Sequence, residues 1–228
     1  MRGQASVFEL KGYNPIQVSP PKLDAEWSSL LSRSTAFASG YVVAGHPMFQ
    51  ITFPLETPAG QTWAFDAATQ LWCERVSINK PYYRGLITAT SKDRVYITSA
   101  FDGKVFLMAQ QVFSEDGEEM IFQVTSTHLL KSGDNLAVDE CWVDMETGLG
   151  TTQGQGADPQ AMLQVSKDGG HVWGGERFVP IGKTGEYRAR AVRRRIGAAR
   201  DVAIRLRITD PVPRRICGAY MKLSAGVS

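Results

Sequence analysis

Apolar side chains recur at every second position in short runs, and most runs are closed by Asp-Gly, Asn-Pro or a Pro/Gly pair. Alternation of that period turns one face of an extended chain inward and the other outward, whereas a helix needs apolar spacings of three and four. The chain therefore reads as all-β. Asp201 to Thr209 shows the pattern most cleanly, with Val202, Ile204, Leu206 and Ile208 on one face and Ala203, Arg205 and Arg207 on the other.

The same reading divides the chain into three stretches. Residues 1–40 are irregular, with Asn14-Pro15, Pro20-Pro21 and a serine cluster, and one short helix is expected over Leu23 to Leu31. Residues 41–136 carry strand candidates at Met48 to Phe53, Thr62 to Asp66 and Leu71 to Val76, with turns through Pro58 and Gly60 and through Asp66 to Gln70. Two further hairpins are expected. Arg94 to Ser99 and Lys104 to Met108 flank Asp102-Gly103, and Val112-Phe113 and Met120 to Thr125 flank Asp116-Gly117; glycine supplies the positive φ that such turns need. Successive hairpins rich in aromatics suggest propeller blades, each able to bury its face only against the next. The irregular first 40 residues and the basic final 43 leave space for about two or three blades, so an incomplete propeller, or a β-structure completed by another chain, is expected.

Residues 137–228 open on an alternating strand, Ala137 to Met145, which places Val138, Glu140, Trp142 and Asp144 on one side and Asp139, Cys141, Val143 and Met145 on the other. The glycine-rich stretch from Gly148 to Pro159 lacks the lysine and the Ser/Thr of a phosphate-binding loop and reads as a flexible connector. Ser166-Lys167-Asp168-Gly169-Gly170-His171-Val172-Trp173 follows the Asp-box pattern except for Val172 at the threonine position. Its structural residues are Ser166, Asp168, Gly169, Gly170 and Trp173: the carboxylate bonds its own turn, the glycines take positive φ, and the indole covers the turn. Such a motif specifies a hairpin, not a reaction.

Charge is distributed unevenly along the chain. Residues 1–185 hold 14 Lys and Arg against 20 Asp and Glu, a balance of −6, while residues 186–228 hold 11 against 3, a balance of +8. Ten of those eleven cations are arginine, whose planar fork binds carboxylate or phosphate through paired hydrogen bonds. Alternation sets Arg188, Arg190 and Arg194 on one side of a strand, and Gly197 to Arg200 is the expected turn into the strand bearing Arg205 and Arg207. These five arginines are the expected anion-facing or interface residues. Their partner is a nucleic-acid backbone, a carboxylate-bearing neighbour, or the acidic first part of this same chain.

Composition excludes several other classes. With 43% hydrophobic residues the chain can build a core. The longest uncharged run, Ser34 to Leu55, contains His46, Pro47 and Pro54 and is too polar for a membrane span, and Met1 to Leu10, with Gln4 and Glu9, lacks an apolar leader core, so no export is expected. Cys73, Cys141 and Cys217 are widely separated, so neither a metal site, a cofactor nor a disulfide framework is expected. No catalytic residue is assigned. Glu186 and Tyr187 beside the arginines are of the types a sialidase uses, which leaves a carbohydrate-binding or sialidase-like propeller as one alternative and a nucleic-acid-binding protein as another. Asp144 and Glu146 read as rim residues, not as an acid and base pair.

Several stretches together resemble a known family. VDMETGLG from Val143, DPQAMLQVSKDGGHVWG, GKTGEYRARAVRRRIGAARDVAIRLRITDP and GAY are similar to the C-terminal part of the packaged-DNA stabilisation proteins, the tail hub or nozzle proteins of P22-like short-tailed bacteriophages. GHPMFQITFP and TWAFDAATQLWCERVS, between Gly45 and Ser77, resemble their propeller blades. The resemblance implies a virion tail protein, assembled in the host cytoplasm. Implied partners are further copies in a ring, six-fold in the family, portal or adaptor proteins, the tail needle or tailspike, and transiently double-stranded DNA. It transfers no catalytic residue. Set against these implied relatives, the chain is expected to lack their N-terminal half, including several blades.

Overall fold

Strand accounts for 51% of the fold and helix for 6%, so the all-β expectation holds. The computed structural model describes residues 5–55, 60–130 and 135–225; Met1 and Gln4, and the expected turn residue Pro58, lie outside them. The chain forms two units, Met1–Ala109 and Gln110–Ser228.

In the first unit, β1 (Phe8–Lys11) and β2 (Asn14–Gln17) make a hairpin, followed by α1 (Pro21–Ser29). The opening segment is thus ordered where irregular chain was expected. Asn14-Pro15 reads as a breaker, yet Pro15 sits in a two-stranded ribbon, which tolerates a missing N–H as an edge strand does. Pro21 lies in the first turn of α1, where its fixed φ suits the helix and its missing donor costs nothing. Leu23 and Trp27, one turn apart, turn inward. Asp24 is buried but satisfied, accepting from Ser19 Oγ at 2.5 Å and from Gln17 Nε2, so the helix is bound to the hairpin base.

The antiparallel meander β3 (Phe37–Val43), β4 (His46–Phe53), β5 (Gln61–Asp66) and β6 (Leu71–Glu74) runs in chain order. One face carries Phe53, Trp63 and Trp72 against α1, with the Trp27 ring tilted against Phe53 at 5.9 Å and meeting Trp72 edge to face at 5.2 Å between centroids. The other carries Gln50, Thr52 and Thr62, all buried, and turns toward a second meander, β7 (Gly85–Ser91), β8 (Arg94–Ser99) and β9 (Val105–Met108). Gln50 Nε2 donates to the Gly85 carbonyl at 3.0 Å and Thr88 Oγ1 to the Gly40 carbonyl at 2.8 Å, joining the two sheets. The order of layers is helix, four strands, three strands.

The second unit corrects three expectations. Asp116 and Gly117 do turn the chain with positive φ, but the ladder they close is only β10 (Ser114–Glu115) and β11 (Glu118–Glu119), and Val112-Phe113 forms no strand. β12 (Phe122–Thr125) and β13 (Leu129–Leu130) instead pair with β18 (Asp201–Ile208), so the third hairpin of the expected meander is absent. The arginine-rich hairpin is also absent. β17 (Ala191–Ala199) pairs with β14 (Leu136–Met145), which pairs with β19 (Ile216–Ala225), whereas β18 pairs with β15 (Gln160–Ser166), which pairs with β16 (Arg177–Pro180). Gly197 to Ala199, expected in a turn, are paired in β17 with Val138 to Leu136, and Arg200 alone carries the chain from one sheet to the other. Thirdly, the two sheets make a sandwich, and no closed ring of blades is formed among the described residues.

Val138, Cys141, Val143, Leu163, Val165, Ile204, Leu206 and Ile208 fill the space between the sheets. Val138 belongs to this inner face, not beside Glu140 and Trp142 as strict alternation predicts. A bulge between Val138 and Glu140 supplies the missing step, because one extra residue reverses the side to which every later residue points. β17 bulges at the same level: Arg195 adopts φ 56°, and Ile196, not Arg195, turns inward. Three consecutive arginines thus avoid placing Arg195 in the core.

The cysteines are unpaired, with Cys73 and Cys217 exposed and Cys141 buried, its thiol pushed up to about 11 by desolvation. A thiolate-specific disulfide reagent at pH 8 is expected to label Cys217 readily and Cys73 more slowly, since desolvation also raises its pKa. Cys141 should react only in denaturant. Three fast-reacting thiols in the native protein would contradict this packing.

Candidate interaction surface

The five arginines expected on one side of a hairpin occupy two opposite outer faces of the sandwich and the turn before β17. On the β17-β14-β19 sheet, Arg194 Nε lies 3.3 Å from Glu140, its direct cross-strand neighbour, and Arg190 Nε lies 3.0 Å from Asp144. Between these pairs Trp142 stacks on its cross-strand neighbour Tyr220, with ring centroids 5.6 Å apart. Strand alternation dictates this row, since Glu140, Trp142 and Asp144 share the outer face once the bulge is passed.

On the other sheet, Arg207 gives Nε and Nη2 to Gln123 Oε1 at 3.1 and 3.0 Å and Nη1 to Glu176 at 3.1 Å. Arg205 lies over the Trp173 ring, 3.8 Å from its centroid. Its Nε is buried without a hydrogen-bond acceptor, and the indole face is the group that receives its charge. Arg188 is exposed in the turn preceding β17 and has no ion pair among the described residues.

The Asp-box forms as its residues dictate. Ser166 Oγ donates to Asp168 Oδ1 at 2.6 Å and accepts from the Gly170 amide at 2.8 Å, while the Val172 amide donates to Asp168 at 2.9 Å. Gly169 and Gly170 have φ 69° and 87°, and Trp173 bridges back to Ser166. A side chain at Gly169 would meet the Asp201 carboxylate, so glycine is needed there for space as well as for φ. The Ser166 hydroxyl, then the Val172 amide, hold the Asp168 carboxyl below the usual range. A carboxyl depressed in the folded state stabilises it above the unfolded pKa, about 3.9, and that contribution disappears as pH falls through the folded value. Stability is thus expected to be level from neutral pH to about 5 and to fall below about 4. An Asp168→Asn variant should lose less of its stability over that range, as read from denaturant midpoints at each pH.

The loop from Gly148 to Pro159 is tied, not slack. Thr151 donates its amide to the Gly156 carbonyl at 2.9 Å, and Thr184 Oγ1 donates to the Gly150 carbonyl at 2.8 Å. Tyr187 is 70% exposed and lies against Gly148, while Glu186 accepts the Lys183 amide at 2.9 Å. Asp144 is occupied by Arg190. Among the described residues no three His, Cys, Asp or Glu are placed to share a metal ion.

Sequence reasoning missed Arg195, Arg200 and Arg215, which are exposed and have no ion pair among the described residues. It also missed Arg193, which reaches across the sandwich to donate to the Leu163 carbonyl at 2.8 Å, with its pKa lowered by burial. Only the acids' places in the register separate paired from unpaired arginines. No helix of the described residues is long and apolar enough to cross a membrane.

No curated protein matches the chain. Residues 121–224, which hold both sheets of the sandwich, match the family model described as Bacteriophage P22 Gp10, beta-sandwich, a similarity that supports a bacteriophage structural tail protein.

Proposed function

We propose that the chain is a non-catalytic component of a phage tail hub, resident in the virion, which docks on neighbouring tail proteins, helps retain packaged DNA and forms part of the ejection conduit. The observation that carries this reading is the match of residues 121–224 to the P22 Gp10 sandwich. The two meanders of the first unit support the blade-like part of the reading, since each is a small antiparallel sheet in chain order. Portal or adaptor proteins, the tail needle or tailspike, and further copies in a ring are the partners proposed.

Docking through arginine is assigned to Arg188, Arg195, Arg200 and Arg215. Arg190, Arg194 and Arg207 are neutralised by their own chain, and Arg205 is stacked on Trp173, so these four are costly to redirect. An unpaired exposed guanidinium meets a carboxylate without first losing a partner. A conduit wall gripping many phosphates would resist ejection, because each contact adds salt-dependent affinity.

The test is attachment to capsids lacking this protein. Arg188→Glu with Arg200→Glu is expected to abolish attachment while leaving thermal unfolding unchanged. Normal attachment would remove the docking assignment. Normal attachment with reduced affinity for duplex DNA would move these arginines to the conduit wall.

A further inference from the structure

We propose that Arg177 and Arg193, which converge on the gap between the two sheets at one side of the sandwich, form a binding site for a phosphate dianion, either free phosphate or the terminal phosphate monoester of a DNA strand. Register places both side chains. Arg177 on β16 stands opposite Leu163 and two positions before Val179, and Leu163 and Val179 are both buried in the core, so Arg177 shares their inward face. From the other sheet, Arg193 on β17 stands opposite the buried Cys141 and donates Nη1 to the Leu163 carbonyl at 2.8 Å. The cross-strand neighbour of Arg177 is thus the residue that receives Arg193, and β16 lies against β17 at this side.

No acid of the chain answers this pair. Glu176 precedes Arg177 but serves the outer face, where it takes Arg207, and Glu140 holds Arg194 on the outer face of the other sheet. Among the described residues neither Arg177 nor Arg193 has an ion pair. Burial lowers the Arg193 pKa, and the charge of Arg177 lowers it further. Two like charges facing each other beside a desolvated core repel, and an anion between them turns the repulsion into attraction.

The chemistry of the gap selects the ligand. Each guanidinium is a planar fork of N–H donors, and Leu163 uses only one donor of Arg193. A carboxylate balances one of the two charges. A phosphate monoester or free phosphate carries about two negative charges at neutral pH and offers enough terminal oxygens for both forks. A phosphodiester in mid-strand has a single charge and is flanked by sugars on both sides, so the side of a duplex fits the pair poorly. The DNA-end source rests on the proposed retention of packaged DNA, whereas the site itself does not.

Phosphorus NMR of inorganic phosphate titrated with the full-length protein, at constant ionic strength in chloride, tests the site. Saturable millimolar binding is expected for the parent and for Lys22→Gln, which removes one exposed positive charge from the first unit. Arg177→Gln, at an exposed position, is expected to weaken binding about tenfold or more. Arg193→Lys, which keeps a donor for Leu163 but loses the fork, is expected to do the same. No saturable binding by the parent overturns the proposal, as does equal binding by folded Arg177→Gln or displacement by acetate at the same concentration as phosphate. Short duplexes then separate the sources. Displacement of phosphate by a duplex bearing terminal phosphates, but not by its hydroxyl-ended counterpart, identifies a DNA end, and displacement by neither identifies free phosphate. Displacement by both overturns the dianion assignment, since a phosphodiester would then suffice. None of these results depends on attachment to capsids, so the docking reading stands or falls separately.

Discussion

Replacing Trp27 with alanine is expected to destabilise the first unit by about 3 to 5 kcal/mol, the range for deleting a buried aromatic side chain. Trp27 is 1% exposed and holds α1 to the meander through Phe53 and Trp72. A nine-residue helix has no stability of its own in water, so its anchoring side chain decides whether it forms. Trp27 Nε1 is buried without a hydrogen-bond partner, so Trp27→Phe removes an unsatisfied donor together with part of the ring and should cost much less than alanine. Leu31→Ala, at a 74% exposed position just beyond the helix, should change little. Urea midpoints followed by tryptophan fluorescence would rank the three variants. A Trp27→Ala cost below about 1 kcal/mol would contradict the layered core.

Leu163→Ala is the second large effect, expected at about 2 to 5 kcal/mol. Leu163 has 0% exposure and stands opposite Leu206 between the two sheets. Its carbonyl also receives Arg193 from the facing sheet, so a collapse of the cavity is opposed by a hydrogen bond that fixes the strand spacing. The cavity therefore remains largely open, which places the cost in the upper part of the range. Phe178→Ala, on the adjacent strand but 64% exposed, should stay within about 0.5 kcal/mol of the parent. Equal losses at the two positions would mean that the sheets do not enclose this core.

Local chemistry was legible. Asp66 to Gln70, Asp102-Gly103, Asp116-Gly117 and the Asp-box each turn where the sequence says, because the residues that stabilise a turn lie within it. Asp66 illustrates this, its Oδ1 accepting the Ala68 amide at 2.9 Å. Pairing between distant strands was not legible. β12 finds β18, and β17 and β18 separate although adjacent in sequence, because any apolar strand face fits several others and only simultaneous burial of all of them selects one arrangement. The bulges at Asp139 and at Arg195 escaped for the same reason, since a one-residue step leaves no mark in the local pattern until its partner strand is known.

The arginine-rich segment was found by composition, and its role was decided by register. Residues 110–228 contain 15 Lys and Arg and 15 Asp and Glu, so the excess seen along the chain is balanced within the unit that contains it. Glu140, Asp144 and Glu176, which precede the segment in the chain, meet Arg194, Arg190 and Arg207 in space. The sequence by itself determined the β class, the positions of the turns and the Asp-box, because propensity and alternation act over a few neighbouring residues. Only the tertiary structure decided which strands share a sheet, which arginines are already answered and which apolar faces are left open, because those depend on contacts between residues far apart in the chain.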